Sequence, residues 1–385
     1  MVNLLRRALH RLPRPLKRFL RNVPGVGWVR QAAAGRPRGP RPSKGTPRPV
    51  VYLPTWLQWD VMRQRPQYLL AALSRAGHPV FFVDPRVVSS RQEGGVTLAP
   101  SLTAVPPRDV ILYVHFAPIR DLFDRFENAA VVYDLLDDLS IYDADEVGMP
   151  ERRRVRAHHH ELVAAADVVT ASSPVLVDRH RHERSDIVLV ENGVEPERFG
   201  GIHPRPAEIP AGAPVIGYHG AVARWFDFEL FGTVARANPR WRFVLVGPVA
   251  PEVRGRLDEL SQVSNVIVVG EQPIDRVPAY VGSFDVGAIW FRVDGLTEAV
   301  NPLKMFEYLA AGVPVVSTAI PAAEASTEVH VAESPTQMTA AIEAALAEPS
   351  TRMAARQAAA NAASWDVRIR TLLRRLEELG QRSVP

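Results

Sequence analysis

Residues 299–318 read AVNPLKMFEYLAAGVPVVST. A polar lead with a proline gives way to helix-forming residues from Leu303, a glycine at 312 and an apolar β-branched run. Proline starts helices but breaks them inside, and glycine takes the turn that follows one. The stretch therefore reads as loop, a helix of about three turns at 3.6 residues each, a stop, then a strand. Lys304 and Glu307 stand one turn apart near the helix start. They are either a solvated surface pair or two groups facing a ligand at the helix N-terminus.

Outward from this stretch the chain alternates strand and helix. Strands are predicted at 215–218, 243–246, 266–269, 286–289 and 313–317. An earlier set falls at 50–53, 80–83, 110–114, 130–133, 168–171 and 187–190. Helices fit 64–75, 119–127, 151–166 and 174–183. The strands are near-continuous apolar runs, as in a parallel sheet covered on both faces, and the alternation argues a doubly wound α/β fold. A Pro- and Gly-rich segment at 200–212 reads as a hinge. The expected fold is two Rossmann-like domains, over 49–200 and 201–363, facing a cleft. A C-terminal helix over 364–385 is placed to cross back to the first. Ligands in such sheets bind outside the carboxyl ends of the strands.

The 385 residues suit two domains. With 46% hydrophobic and 23% charged residues the composition is that of a soluble globular protein. The chain has no cysteine, which excludes disulfides, cysteine–zinc sites and a thiol nucleophile. No run of about 18 apolar residues reads as a spanning helix.

The formal charge of +4 hides an asymmetry. Residues 1–48 hold 13 of the 46 basic residues and no acidic one, so the remaining 33 face 42 acidic residues and the body carries a net −9. In the opening MVNLLRRALHRLPRPLKRFLRNVPGVGW, arginines interrupt every short apolar run, which argues against a secretory signal. At helical spacing Leu5, Leu9, Leu12, Leu16, Phe19, Leu20 and Val23 take one side. Arg6, Arg7, Arg11, Arg14, Lys17, Arg18 and Arg21 take the other, with Pro13 and Pro15 dividing the helix. Such a face suits an anionic membrane surface, reached through residues 1–30. A leader with no partner is the alternative. A nucleic-acid partner lacks aromatic interleaving or a binding motif here and is not expected. GRPRGPRPSKGTPRP, over 35–49, reads as a Pro/Arg-rich linker.

Four blocks give the chain a family likeness: Asn192-Gly193-Val194 with Phe199, Gly217-Tyr218-His219-Gly220, GEQPIDRVPAYVGSFDVGAIWF over 270–291, and the opening stretch from Asn301. Over roughly 50–380 the chain resembles the retaining "group 1" glycosyltransferases of the GT-B fold, and among them bacterial teichuronic-acid and related cell-surface polysaccharide enzymes. The resemblance implies a nucleotide-sugar donor bound mainly by the second domain, and catalysis with no obligatory metal and no cofactor beyond that substrate. By the same resemblance Glu307 receives the ribose hydroxyls, while Lys304 and Arg224 serve the diphosphate. Gly220, Asn301 and Pro273 line the donor site. The family's second glutamate, eight residues before Glu307, is replaced by Ala299, so the backbone over 296–301 is expected to make sugar contacts.

On the first-domain side the residues leave more open. WLQWDVMRQR, over 56–65, lacks the glycines common in the family. Arg63 and Arg65 suit a phosphate or charged acceptor, or a solvated helix start. Trp56 and Trp59 would stack on a sugar or simply pack. Asp134, Asp137 and Asp138 follow a strand where many family members have a histidine. They would bind sugar hydroxyls, position the acceptor or hold metal, of which metal is discounted because no histidine accompanies them in sequence. Asp137 is carried as a catalytic candidate, and His115, after the preceding strand, is catalytic or structural. His158–His160 reads as a solvated helix face. The expected activity is transfer of a sugar to a cell-surface polysaccharide or lipid-linked acceptor, with retention, on the cytoplasmic face of the membrane. Another GT-B enzyme, such as a sugar-nucleotide epimerase, or a non-catalytic nucleotide-sugar-binding module, is the rival.

Overall fold

A computed structural model describes residues 35–43, 46–53, 55, 57–60, 63–137 and 149–382. The basic tail assigned to a membrane surface falls on residues outside that range, as do Trp56 and Asp138. The apolar runs of the first half form β1 (Val50–Tyr52), β2 (Val80–Val83), β3 (Arg91–Glu93), β4 (Val96–Ala99), β5 (Ile111–Val114), β6 (Ala130–Leu135), β7 (Val168–Ala171) and β8 (Val188–Leu189). They lie in the order β3-β4-β2-β1-β5-β6-β7-β8. Every pair is parallel except β3 with β4. Alternate residues feed two separate cores, Val51, Val83, Leu112 and Val114 on one face and Val50, Tyr52, Phe82 and Tyr113 on the other. A sheet buried on both faces has no polar alternation to show, which is why its strands read as unbroken apolar runs.

The second half gives β9 (Val215–His219), β10 (Arg242–Val246), β11 (Val266–Gly270), β12 (Val286–Ile289), β13 (Val315–Thr318) and β14 (Val329–Ala332). Their order, β11-β10-β9-β12-β13-β14, is that of a dinucleotide-binding sheet, with its switch point between β9 and β12. The first sheet reverses between β1 and β5. The fold is therefore α/β with two Rossmann-like parallel sheets.

Four details depart from the expectation. The β3–β4 hairpin was not foreseen, although Gly94-Gly95 supplies the two positive φ angles, 55° and 82°, that a tight hairpin turn needs. β14 was not foreseen either. The helix Leu303–Ala310 has eight residues, nearer two turns than three. The 200–212 segment is not where the chain passes between sheets, since Phe199 and Ile209 already pack in the second core.

The passage lies earlier and is double. Val194 N–H donates to Ala363 O at 3.2 Å and Trp365 N–H to Val194 O at 3.1 Å, so the outgoing and returning chains run side by side. A side chain on Gly193 would put its Cβ 2.5 Å from Ala363 O. Past this point Trp365, Ile369, Leu372 and Leu376 pack into the first domain's core. Trp365 stacks on Tyr68 at 5.5 Å and 11°. The helix Arg370–Arg382 thus crosses back to the first domain.

Candidate functional site

The opening motif arrives at the switch point of the second sheet. β9 ends in His219-Gly220, and Gly220 takes φ 116°. β10 ends at Gly247, φ 144°, whose added Cβ would lie 2.2 Å from Gly220 O. Two strand ends meet backbone to backbone, leaving a floor without side chains. The helix Leu303–Ala310 lies over it. An added Cβ on Gly220 would stand 3.1 Å from Lys304 Cε. The Lys304 ammonium sits 4.9 Å from the Tyr218 ring centre and 4.7 Å from that of Phe291. Burial among these rings pushes its pKa down to about 8, against an upward pull from Glu307. Among the described residues it has no hydrogen-bond acceptor. Aromatic faces stabilise a cation without consuming its N–H donors, so Lys304 is held ready for an anion.

One turn on, Glu307 is 6% exposed. His219 Nε2 stands 2.6 Å from Glu307 Oε2. The angle is not that of a hydrogen bond, and both atoms are buried without another partner among the described residues. The His219 backbone N–H donates to Tyr308 Oη at 3.0 Å. Glu307, His219 and Gly220 share the wall of a cleft with Arg198, Val246, Gly247, Glu271, Gln272 and Ile274 on the second-domain side, and with Arg63 and Tyr68 opposite. The cleft holds about 570 Å³ of open space, solvent included. Arg63 packs over the Trp59 ring at 5.6 Å and lies 3.8 Å from Glu195. Arg198 donates to Ile274 O at 2.8 Å.

Of the residues singled out from sequence, Glu307, Gly220 and Arg63 meet in this cleft, with Lys304 against its floor. Pro273 is exposed between two wall residues. Arg224 is half-buried in the loop after Gly220, beyond the cleft wall. Arg65 turns away. It is fully buried and bidentate to Asp134, Nε–Oδ2 2.8 Å and Nη2–Oδ1 2.9 Å, with Nη1 donating to Asn192 Oδ1 at 3.1 Å. Burial alone would raise the Asp134 carboxyl, but Arg65, helped by Thr170 and Tyr113, holds it below its usual value. Asn192 in turn donates to Asn301 O. Asn301 is thereby a junction residue between the domains, its Oδ1 buried without a partner among the described residues.

Ala299 belongs to the same junction. It packs with the first domain's Leu135, Ala171 and Leu176, and Ser173 Oγ donates to its carbonyl at 2.7 Å. The carbonyls of Ala299 and Asn301, expected at the sugar, are engaged by the first domain instead. His115 is buried at the end of β5, its Nδ1 3.1 Å from Tyr52 Oη and its Nε2 without a partner among the described residues. Burial pushes its pKa down to about 4, so the ring is neutral. Asp137 is half-buried just past β6. His159, expected on a solvated face, is fully buried with Nδ1 2.7 Å from Tyr133 Oη. Among the described residues no cluster could hold a metal ion.

Sequence reasoning missed His219, Arg198, Tyr68 and Gln272. His219 was legible as the residue beside a strand-end glycine. Tyr68 and Arg198 carried no local signal, because only the tertiary fold brings them to the cleft.

Residues 213–348 match the family model for glycosyl transferases group 1. This matched stretch is similar to a group 1 glycosyl transferase domain and holds the second sheet. Its β9 end and Leu303–Ala310 helix are the parts that build the cleft wall. A curated relative, the putative teichuronic acid biosynthesis glycosyltransferase TuaH of Bacillus subtilis, is 34% identical over 177 residues, 44% of this chain and 45% of that protein. The match thus spans less than half of the relative's length. Among solved structures, sucrose-phosphate synthase of Thermosynechococcus elongatus superposes with a TM-score of 0.64 at 16% identity, over 87% of this chain and 100% of that one. Anabaena HepE in complex with UDP and glucose gives 0.60 at 14%, over 87% and 99%. The E. coli trehalose-6-phosphate structure bound with UDP-2-fluoro glucose gives 0.63 at 13%, over 86% and 99%. These likenesses show the fold, two Rossmann-like sheets in the GT-B arrangement.

Proposed function

We propose that the protein is a glycosyltransferase that moves a sugar from a nucleotide-diphosphate sugar to a cell-surface polysaccharide or lipid-linked acceptor. The observation that carries this reading is one cleft of the group 1 domain. In it a lysine ammonium and a buried carboxylate oxygen, neither with a hydrogen-bond partner among the described residues, lie beside a side-chain-free floor. A carboxylate accepts two hydrogen bonds and so suits the vicinal diol of a ribose. Lys304 and the helix N-terminus suit the diphosphate, whose negative charge grows as it leaves. Arg224 is assigned to the same leaving group. UDP-bound solved neighbours make UDP-sugars the first donors to test, and the name of the Bacillus subtilis relative supports an envelope polysaccharide as acceptor.

Transfer with retention follows a front-face course in this reading. The acceptor hydroxyl enters on the side from which the phosphate oxygen departs, and no protein nucleophile is needed. Arg63, on the first-domain wall, meets the acceptor or the donor phosphate, and Asp137 and His115 remain candidates near the acceptor. No cofactor is invoked. Residues 1–30 would hold the enzyme on an anionic membrane face, where a lipid-linked acceptor sits. The test is release of nucleoside diphosphate from a panel of nucleotide sugars, with binding followed by calorimetry. Absence of both binding and release with every donor of the panel would overturn the reading.

A further inference from the structure

We propose that His219 positions Glu307 and takes up a proton when a nucleoside diphosphate fills the cleft. The inference rests on the ribose role of Glu307 and adds a residue to it. His219 closes β9, with its ring 5.5 Å from that of Tyr308 at 82° and its backbone N–H bonded to Tyr308 Oη, so the ring is set by the helix that carries Glu307. Its Nε2 lies 2.6 Å from Glu307 Oε2. A small rotation of either group makes this a charge-assisted hydrogen bond. The carboxylate is then fixed by Nε2–H while Oε1 stays open to a diol.

The other ring nitrogen, Nδ1, is bonded to no described residue, and the next residue is Gly220 on the floor beside Lys304. Histidine is the side chain whose charge changes between about pH 5 and 8. A second proton on the ring sits between a carboxylate already engaged and a diphosphate newly arrived, and both favour the charged form. Among the described residues the charged and titratable groups around the pair are Lys304 and Tyr308 of the Glu307 helix, Tyr68 and Arg63 from the first domain, Arg198 and Glu271 of the cleft wall, and Glu195 paired with both arginines. None of these supplies a donor to Glu307 Oε2. Ligand binding thus raises the affinity of the ring for a proton, and by linkage nucleotide affinity rises as pH falls.

The experiment uses the full chain with UDP, GDP, ADP, CDP and dTDP, titrated calorimetrically at pH 6, 7 and 8. The wild type is compared with His219→Gln, which keeps an N–H donor without a titratable ring, and His219→Leu, which keeps bulk alone. Ionisation of the ligand phosphate and of Lys304 is common to all chains and cancels in the ratio of affinities. The expected result is Gln within threefold of wild type at pH 8. The wild-type advantage then grows about tenfold by pH 6, the effect of one pKa unit, and Leu is weaker throughout. A ratio of wild type to Gln that stays flat from pH 6 to 8, or a Leu chain that binds like wild type, overturns the inference. His219→Asn replaces Gln should that chain fail to fold. If no nucleotide binds the wild type, or Glu307→Ala binds it equally well, the ribose reading falls and this inference with it. Loss of binding in Glu307→Ala beside a flat ratio sinks the histidine role alone.

Discussion

Glu307 is the residue on which the donor reading turns. Glu307→Ala is expected to weaken nucleotide binding by about 1.5–3 kcal/mol, the worth of a charged hydrogen bond, with the melting curve unchanged. Equal affinity in calorimetry would remove the carboxylate from the site. Lys304→Ala and Arg224→Ala are expected to lower kcat more than they raise KM, since charge on a departing diphosphate is met mainly in the transition state. Full kcat with a raised KM in both would end the leaving-group role. Lys304 adds a pH signature. Its pKa, pushed down to about 8 by burial, means the ammonium is lost as pH rises through that value. A diphosphate favours the charged form, so wild-type affinity falls above pH 8, and Lys304→Ala should lose that fall. Glu307, Lys304, Gly220 and Arg63 were legible because the motif or a strand end marked them. Arg63 and Arg65 look alike in sequence, and their different fates were not legible. Arg65 pairs with Asp134, 69 residues away, and only the closed sheet brings the two together.

Among elements, the loop before the Leu303–Ala310 helix links the two domains. Its Ala299 stands where the family's second glutamate was expected, and its burial in the first-domain core explains the departure. A carboxylate there would be an unpaired buried charge, so Ala299→Glu is expected to destabilise the fold by about 3–5 kcal/mol and not to improve turnover. A stable, more active variant in urea unfolding and donor assays would show that the loop faces the sugar. The Arg65–Asp134 pair ties the helix Arg65–Arg75 to β6, and its stability has a definite pH sense. The native Asp134 carboxyl is held below its unfolded value. Its contribution is therefore present above the unfolded pKa, near 4, and is lost as pH falls through the native one. Asp134→Asn should cost about 3–5 kcal/mol at pH 7 by stranding Arg65, with the gap to wild type narrowing in acid. A difference that holds constant down to the acid transition would contradict this. The parallel strands were readable from apolar runs. β3 and β14 were not, because three polar residues, Arg91–Glu93, and a half-exposed edge strand lack that pattern.

For the whole molecule, charge and chain path matter most. Every charged residue in 1–48 is basic and the body is acidic. Among the described residues no helix is long and apolar enough to cross a membrane. Deleting residues 1–46 is expected to release the protein from anionic vesicles in co-sedimentation while sparing donor hydrolysis. Attraction should weaken with salt as the screening length shortens to about 8 Å at physiological strength. Equal sedimentation of both chains would reject the tail as anchor. The two-sheet architecture was legible from alternation alone. The side-by-side crossing was not, since no local signal in Val194 or Ala363 announces the partner. That crossing also sets an order of events during synthesis. The first sheet is complete once Leu189 has left the ribosome, but Trp365, Ile369, Leu372 and Leu376, which pack into the core that holds Tyr68, are still to come. At about 5–20 residues per second the nascent domain waits on the order of 10–40 s for its own last layer. Through that interval an apolar surface meant for the interior stands uncovered, open to any chaperone or to a neighbouring nascent chain.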